Sequence, residues 1–243
     1  MTTPLDDIRT LMKGLPGPDE AARAAAAAAL AQAATLGRLG DLGPWLAAWS
    51  GKAKPEIRRP ILAVYAGAPA PGGLEAAEAG RTALEAIASG QAVVSRIAQG
   101  LGAGLEAFDL AVDRPIGAIA TAPALGEREC AATMAFGMEV LAKQPDILML
   151  ADISPDQGRS AAAVACAVFG GAGGDWHADA DLVDAAVARA RREGLVDGLD
   201  ILRQLGGREI AAAAGAILGA RAQKTPVILD GYGPCAAAAA LRK

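Results

Sequence analysis

The sequence has few of the side chains that build metal sites and disulfide frameworks. Its 243 residues include one histidine, His177, and three cysteines that lie far apart, Cys130, Cys166 and Cys235. Zinc sites need clusters of histidine and cysteine, and disulfide frameworks need an even set of cysteines. We therefore predict no metal and no cofactor. The cysteines are expected as buried free thiols that pack as small hydrophobic residues, and the histidine as a surface or capping residue.

Long apolar runs and blocks of basic residues are also missing. A membrane-spanning helix takes about 18–20 consecutive apolar residues, whereas the apolar stretch 210–220 is bounded by Glu209 and Arg221. The net charge is −4 without any Lys/Arg block, which disfavours nucleic-acid binding. The first seven residues have neither the basic nor the apolar region of a signal peptide. The sequence thus predicts a cytoplasmic protein that binds neither membranes nor nucleic acid.

Small apolar residues are abundant instead. Hydrophobic residues make up 53% of the chain but aromatic ones only 3%, and there are 30 glycines, which indicates close backbone packing. Gly215 and Gly219 lie four residues apart among alanines and favour a helix face that packs closely on a neighbour. At about 150 residues per domain, the length fits one large domain with an appendage. We place a helical N-terminal cap at 1–55 and the main domain at 56–243.

Apolar runs alternate with helical patterns along most of the chain. Strands are predicted at residues 61–67, 105–112, 116–122, 146–152 and 226–230, and helices at 4–14, 20–36, 39–49, 127–142, 160–169, 179–193, 199–205 and 208–222. The stretch 74–101 is expected to be mostly helical, and the chain ends in an alanine run. Continuous apolar strands are typical of sheets buried on both faces. The pattern predicts an α/β fold, a Rossmann-like parallel sheet with helices on both faces, plus the small helical cap.

Parallel sheets bind ligands at the carboxyl ends of their strands, and Asp152 ends one predicted strand. The loop Ile-Ser-Pro-Asp-Gln-Gly-Arg-Ser follows, and a helix begins at once. Free N–H groups at a helix N-terminus bind phosphate, and Arg159 adds guanidinium donors. We therefore predict Asp152 as a catalytic base and a substrate-binding set of Ser154, Gly158, Arg159 and Ser160. The alternative is an ordinary capped loop with Ser160 as N-cap, because the Gly-Lys-Ser/Thr signature of a P-loop is absent.

Two other turns contain candidate residues. Asp230 and Gly231 follow the last predicted strand, where a carboxylate would face the cleft, although Asp-Gly also forms Asx turns. Gly206 and Gly207 precede a long helix and fit either close approach to a phosphate or tight packing. We predict Asp230 as a second candidate base and Gly206, Gly207 and Gly231 as substrate-binding residues.

The C-terminal stretch carries the most specific pattern. It reads Asp-Ile-Leu-Arg-Gln-Leu-Gly-Gly-Arg-Glu-Ile from residue 200, continues as an alanine- and glycine-rich helix to 220, and is followed by Pro-Val-Ile-Leu-Asp-Gly at 226–231. This text resembles the nicotinate-nucleotide–dimethylbenzimidazole phosphoribosyltransferase family. Shorter similarities at 5–9, 36–39, 137–139 and 146–152 occur in the same order, so the resemblance spans nearly the whole chain.

The resemblance implies a fold and an activity. The family has a parallel α/β sheet with a small helical domain, is usually dimeric and needs no metal. It transfers the phosphoribosyl group of nicotinate mononucleotide to 5,6-dimethylbenzimidazole, which gives α-ribazole phosphate for the lower ligand of cobalamin. A carboxylate takes the proton from one benzimidazole nitrogen, and the other nitrogen attacks the ribose C1′ as nicotinate leaves.

Several positions depart from the family pattern. The family's Gly-Asp-His-Gly after the first strand corresponds to residues 66–69, which lack the Asp and His. Its Gly-Glu-Met-Gly-Ile-Gly-Asn-Thr-Thr loop corresponds to 151–160, where only Asp152 is conservative. A ligand-contacting lysine falls near Val183, a benzimidazole-contacting glutamine is missing from 80–85, and the family's catalytic glutamate would lie beyond Lys243.

Three hypotheses follow from these departures. The first is a catalytically impaired member, a pseudoenzyme that binds nicotinate mononucleotide or a benzimidazole-type molecule. The second is an active phosphoribosyltransferase with a rebuilt site that uses Asp152 or Asp230 as base. The third is a structural subunit of a complete paralogue. A homodimer is expected, with a hetero-oligomer as the alternative.

Overall fold

The structure, a computed structural model, describes residues 3–31 and 37–242. Its strands are β1 (Pro60–Ala66), β2 (Gly104–Asp109), β3 (Ile147–Ile153) and β4 (Val227–Leu229). Its α-helices are α1 (Pro4–Lys13), α2 (Glu20–Leu30), α3 (Leu39–Ser50), α4 (Leu74–Ala88), α5 (Val93–Gly100), α6 (Glu127–Gly137), α7 (Arg159–Phe169), α8 (Ala180–Arg192), α9 (Gly198–Leu205), α10 (Arg208–Ala222) and α11 (Tyr232–Ala240). Short 3-10 helices span Met138–Lys143 and Gly173–Asp175.

The four strands form one parallel sheet in the order β2-β1-β3-β4. Ala63 of β1 lies beside Glu106 of β2 and Leu150 of β3, and Leu150 pairs in turn with Leu229 of β4. The predicted α/β class with a parallel sheet and covering helices is confirmed. Because all strands run the same way, their carboxyl ends, including Asp152 and Ile153 of β3, lie along one edge.

One predicted strand is wrong. Residues 116–122 form a loop rather than a strand, although Ile116 and Ile119 are buried. The loop is held by hydrogen bonds, since Ala124 N–H donates to Gln204 O at 3.1 Å and Arg189 Nε donates to Ile119 O at 2.9 Å. The stretch 74–101, predicted as mostly helical, contains two helices, α4 and α5, because the chain turns through Gly90 with a φ of 74°.

Close backbone packing is found where the glycine spacing predicts it. A side chain at Gly215 of α10 would overlap the backbone of Met134 on α6, and one at Gly219 would press on Met138. The helix α10 is buried along most of its length. Cys130 and Cys166 are buried as expected, but Cys235 is exposed, because it lies on the outer side of α11.

The N-terminal helices divide between two apolar clusters. Leu5 and Ile8 of α1 are part of the main core, whereas Ala22 and Ala26 of α2 pack with Ala47 of α3 in a small cluster of their own.

The domain boundary predicted between residues 55 and 56 stays a prediction. The predicted end of the second helix, and Leu36 of the family-like text at 36–39, lie outside the described residues. Within the described part of the chain, no helix is both long and apolar enough to cross a membrane.

Candidate functional site

The candidate site is a cleft at the carboxyl edge of the sheet. Two loops line it: residues 69–76 after β1, and residues 155–157 with Arg159 after β3. Its volume is about 600 Å³, which is in the range of small-molecule sites. The structure thus places the loop after Asp152, which the sequence singled out, on one wall. The opposite wall is the Pro/Gly loop after β1, which carries none of the predicted site residues.

The N–H groups at the start of α7 are already bonded to a carboxylate of the chain itself. Asp156 accepts hydrogen bonds from Gly158 N–H at 3.0 Å and from Ser160 N–H at 2.7 Å, and the hydroxyl of Ser154 donates to it at 2.9 Å. Asp156 therefore holds the place that a phosphate would take at this helix N-terminus. Sequence reasoning missed this role, although the spacing of Asp156 to the helix start is a capping signal.

The backbone of this loop adopts an unusual conformation. Gln157 and Gly158 have φ angles of 59° and 87°, in the left-handed region that favours glycine. His177 holds the loop there: Asp179 N–H donates to its Nδ1 at 2.9 Å, so its Nε2 carries the proton and donates to Gln157 O at 3.2 Å. The histidine thus joins two loops, and its ring bonds the N-cap residue Asp179 of α8 rather than the free N–H groups of the helix.

Arg159 borders the cleft but its charge is paired. Its Nε donates to Asp179 at 2.9 Å in a half-exposed ion pair. A bound anion would share Arg159 with that carboxylate. Ser160 is only 1% exposed, and its Oγ has no hydrogen-bond partner within the described part of the chain.

Asp152 lies at the end of β3 with a perturbed ionisation. Burial raises its pKa to about 6, the negative charges of Asp156 and Asp230 add to the increase, and the N–H of Gly233 acts against it. Its carboxylate occupies space that a side chain at Gly233 or Gly231 would need, because a Cβ there would lie 2.7 or 3.1 Å from its oxygens. A carboxylate with such a pKa is ionised at pH 7 yet basic enough to accept a proton.

Asp230 and Gly231 lie at the same edge, after β4. Asp230 is exposed, and its N–H donates to Leu150 O at 2.9 Å, which extends the β3–β4 pairing. Gly231 has a φ of 97° and begins the turn into α11. The structure therefore brings Asp152, Asp230 and Gly231 together, as predicted from the strand ends.

Gly206 and Gly207 are buried and face protein atoms. A side chain at Gly206 would lie 2.8 Å from Leu202 O, and one at Gly207 would overlap the carboxyl group of Glu209. Glu209 is itself a functional candidate that the sequence analysis missed, because a charged residue in the first turn of a helix is usually exposed. Despite this group of acidic residues, no three His, Cys, Asp or Glu side chains among residues 3–31 and 37–242 are placed to hold a metal ion.

Comparison with known proteins assigns the chain to a class and then to a family. A family model described as phosphoribosyltransferase matches residues 15–243. Together with the parallel α/β fold and its carboxyl-edge cleft, this match places the chain in the phosphoribosyltransferase class. Proteins named nicotinate-nucleotide–dimethylbenzimidazole phosphoribosyltransferase are 42% identical in Allorhizobium ampelinum and 43% identical in Rhizobium meliloti, over 98% of this chain and 76% of each relative. The chain belongs to the nicotinate-nucleotide–dimethylbenzimidazole phosphoribosyltransferase family.

Solved structures agree on the fold. A crystal structure of CobT from Thermus thermophilus has a TM-score of 0.72 with 21% identity, over 98% of this chain and 77% of that one. A second structure from the same organism, a nicotinate-nucleotide–dimethylbenzimidazole phosphoribosyltransferase, has the same TM-score with 22% identity and covers 98% and 76%.

Proposed function

We propose that the chain binds a benzimidazole-type base or nicotinate mononucleotide in the carboxyl-edge cleft and is catalytically impaired. Its place would be in the synthesis of α-ribazole phosphate for the cobalamin lower ligand. The observation that carries the proposal is the carboxylate of Asp156 on the N–H groups of Gly158 and Ser160. A nucleotide phosphate must displace this internal anion to use the start of α7, whereas an uncharged base need not.

A second candidate function is turnover by a rebuilt site, and the environment of Asp152 favours it. A carboxylate with a pKa of about 6 at a strand end can take the N–H proton of the benzimidazole. The other nitrogen then forms the bond to ribose C1′, and the bond from C1′ to nicotinate breaks with its electron pair on the leaving nitrogen. Asp230, which is exposed, adds negative charge beside Asp152 and is the less suited of the two as base.

The first experiment separates binding from turnover. Purified protein is titrated with 5,6-dimethylbenzimidazole and, in a separate series, with nicotinate mononucleotide while its melting temperature is followed. It is then incubated with both compounds while α-ribazole phosphate is measured by mass spectrometry. We expect stabilisation by about 2.7 kcal/mol at 100 times the Kd, with little product compared with a relative that is active. An unchanged melting curve with both ligands would overturn the binding role.

Product well above background would favour the second candidate, and Asp152→Asn decides it. That variant keeps the shape of the side chain but cannot accept a proton, so product should fall by about 10²–10⁴-fold. Asp230→Asn is the matched comparison and should have the smaller effect. Equal activity in wild type and Asp152→Asn would remove Asp152 as base.

The assembly state is part of the same proposal. We propose a homodimer, with association to a complete family member as the alternative. Size-exclusion chromatography of the chain alone and co-expressed with an active relative tests it. A single shifted peak that contains both chains would favour the partner role, and two separate peaks would exclude it.

A further inference from the structure

Glu209 is a buried acidic residue that the proposed chemistry leaves unused. It lies in the first turn of α10, only 2% of it is exposed, and its Oε2 has no hydrogen-bond partner among the residues that the structure describes. An unpaired buried carboxylate is strongly disfavoured in a protein interior, whereas the neutral acid is tolerated. The burial of the Glu209 carboxyl group therefore needs a structural or functional explanation.

Two glycines far apart in sequence make room for this carboxyl group. A side chain at Gly67, directly after β1, or at Gly207, directly before α10, would overlap it. Gly67 also donates its N–H to Ile153 O of β3 at 3.1 Å. The carboxyl group of Glu209 therefore packs against the first residue of the loop that continues as the 69–76 wall of the cleft.

The charges around Glu209 favour its neutral form. Burial raises the pKa of Glu209 well above its usual value, and the negative charges of Asp156 and Asp152 add to the increase. Arg208 opposes it, but the Arg208 guanidinium bonds Glu129 at 2.7 and 2.8 Å and Arg114 O at 2.6 Å. Burial thus favours the neutral form of Glu209, because its Oε2 has no hydrogen-bond partner within the described part of the chain to compensate a charge.

We propose that Glu209 is a positioning residue of the candidate site, which in its uncharged form holds the start of the β1–α4 loop against α10 and leaves the negative charge of the edge to Asp152 and its neighbours. The inference rests on the proposed function insofar as this loop is a wall of the ligand cleft. It does not require that the protein turn over its ligand. Loss of the Glu209 proton would add a buried charge behind the wall and release the loop.

Two measurements on the ligand-free protein test the proposal. In infrared spectra, the difference between wild type and Glu209→Gln should show the carbonyl band of a protonated carboxylic acid. In hydrogen exchange, the amides of residues 67–74 should exchange about tenfold faster in Glu209→Ala than in wild type, because their anchor is lost. Glu209→Gln, which is uncharged and of the same shape, should keep wild-type protection. Glu78→Ala, a change at an exposed glutamate of α4, is the matched control.

Each result decides the matter. No acid band in the wild type would show an ionised Glu209 and overturn the proposal, and so would equal protection of the loop in wild type and Glu209→Ala. If Glu209→Ala does not fold, Glu209→Gln decides instead: loop exchange as slow as in the wild type supports the proposal, and faster exchange contradicts it.

Titration with 5,6-dimethylbenzimidazole then tests the link to the cleft, with wild-type affinity expected for Glu209→Gln and about tenfold weaker binding for Glu209→Ala. Absence of binding in the wild type would overturn the proposed function while the infrared and exchange results still judge Glu209.

Discussion

Helices α2 and α10 are both rich in alanine, yet they are packed very differently. In α10 most residues are buried and Gly215 leaves no space between its backbone and that of Met134. In α2 only Ala22 and Ala26 are buried, and a side chain at Gly40 in the partner helix α3 would meet nothing within 4 Å. Small residues allow close backbone approach in the rest of the protein, here called the body, whereas in α2 of the α2–α3 hairpin most alanines are not buried and mainly favour helix formation.

The same contrast holds for charged groups. The body buries ionisable side chains, Asp152 and Glu209 among them, and their pKa values are raised. The hairpin is joined to the body by contacts at its base: Arg221 of α10 lies 5.5 Å from the ring centroid of Trp49, and its Nε donates to Pro16 O at 3.1 Å. We therefore expect functional ionisation and tight packing to be properties of the body alone.

The largest expected effect is the pH dependence of stability that Asp152 gives to the body. Its folded pKa of about 6 is above the ordinary value of 3.8, so the native state favours its protonated form. The contribution of Asp152 to the free energy of unfolding should be highest below pH 4 and fall by about 3 kcal/mol as the pH rises through 6, whereas Asp197, whose pKa is lowered in the folded state, contributes with the opposite sign. Denaturant unfolding at several pH values measures it. Asp152→Asn should lose this fall, and an unchanged pH profile in the variant would contradict the assignment.

The same substitution, glycine to alanine, compares the packing of the body and of the hairpin directly. Gly215→Ala should destabilise the protein by about 1–3 kcal/mol, because the backbones of α10 and α6 must move apart. Gly40→Ala, where space is open and the residue is helical, should stabilise its helix by up to about 1 kcal/mol. Thermal unfolding of both variants gives the signs. Equal destabilisation of the protein by both substitutions would contradict the difference in packing between the body and the hairpin.

The smallest expected effect concerns the joint between the regions. Arg221→Ala removes the cation–π contact and one hydrogen bond, which should weaken docking of the hairpin by about 1 kcal/mol. Hydrogen exchange in α2 and α3 should become faster while α10 stays protected. Arg96→Ala, at an exposed arginine of α5, is the control. Faster exchange throughout the body would show that the hairpin is not a separate unit of stability.

The sequence predicts the framework of the site better than its chemistry. Buried apolar runs that alternate with helices predict the parallel sheet, and the sheet geometry brings Asp152, Asp230 and Gly231 to one edge. The apolar run at 116–122 leads to a wrong strand prediction, because a buried loop and a short strand have similar sequence patterns. The sequence points to Ser160 rather than Asp156 as the capping residue, because the bonds of Asp156 to the start of α7 depend on the left-handed turn at Gln157 and Gly158.

Glu209 shows why the remainder needs a structure. Its burial depends on two glycines, Gly67 and Gly207, that are distant in sequence and adjacent only after folding. Local pattern alone predicts an exposed charge in a helix first turn. Only the folded structure shows that these two glycines, which have no side chains, leave the space that the carboxyl group of Glu209 occupies.

The most direct test is a crystal structure of the protein co-crystallised with 5,6-dimethylbenzimidazole, which locates the bound base. We predict density in the 600 Å³ cleft between the 69–76 loop and the loop after β3, whose lining includes Asp156 and Arg159. The apolar cavity of about 180 Å³ beside Trp45 and Trp49, where the hairpin meets the body, is the competing place. Density only there, or none at a concentration that saturates binding in solution, would contradict the assignment of the carboxyl edge as the site.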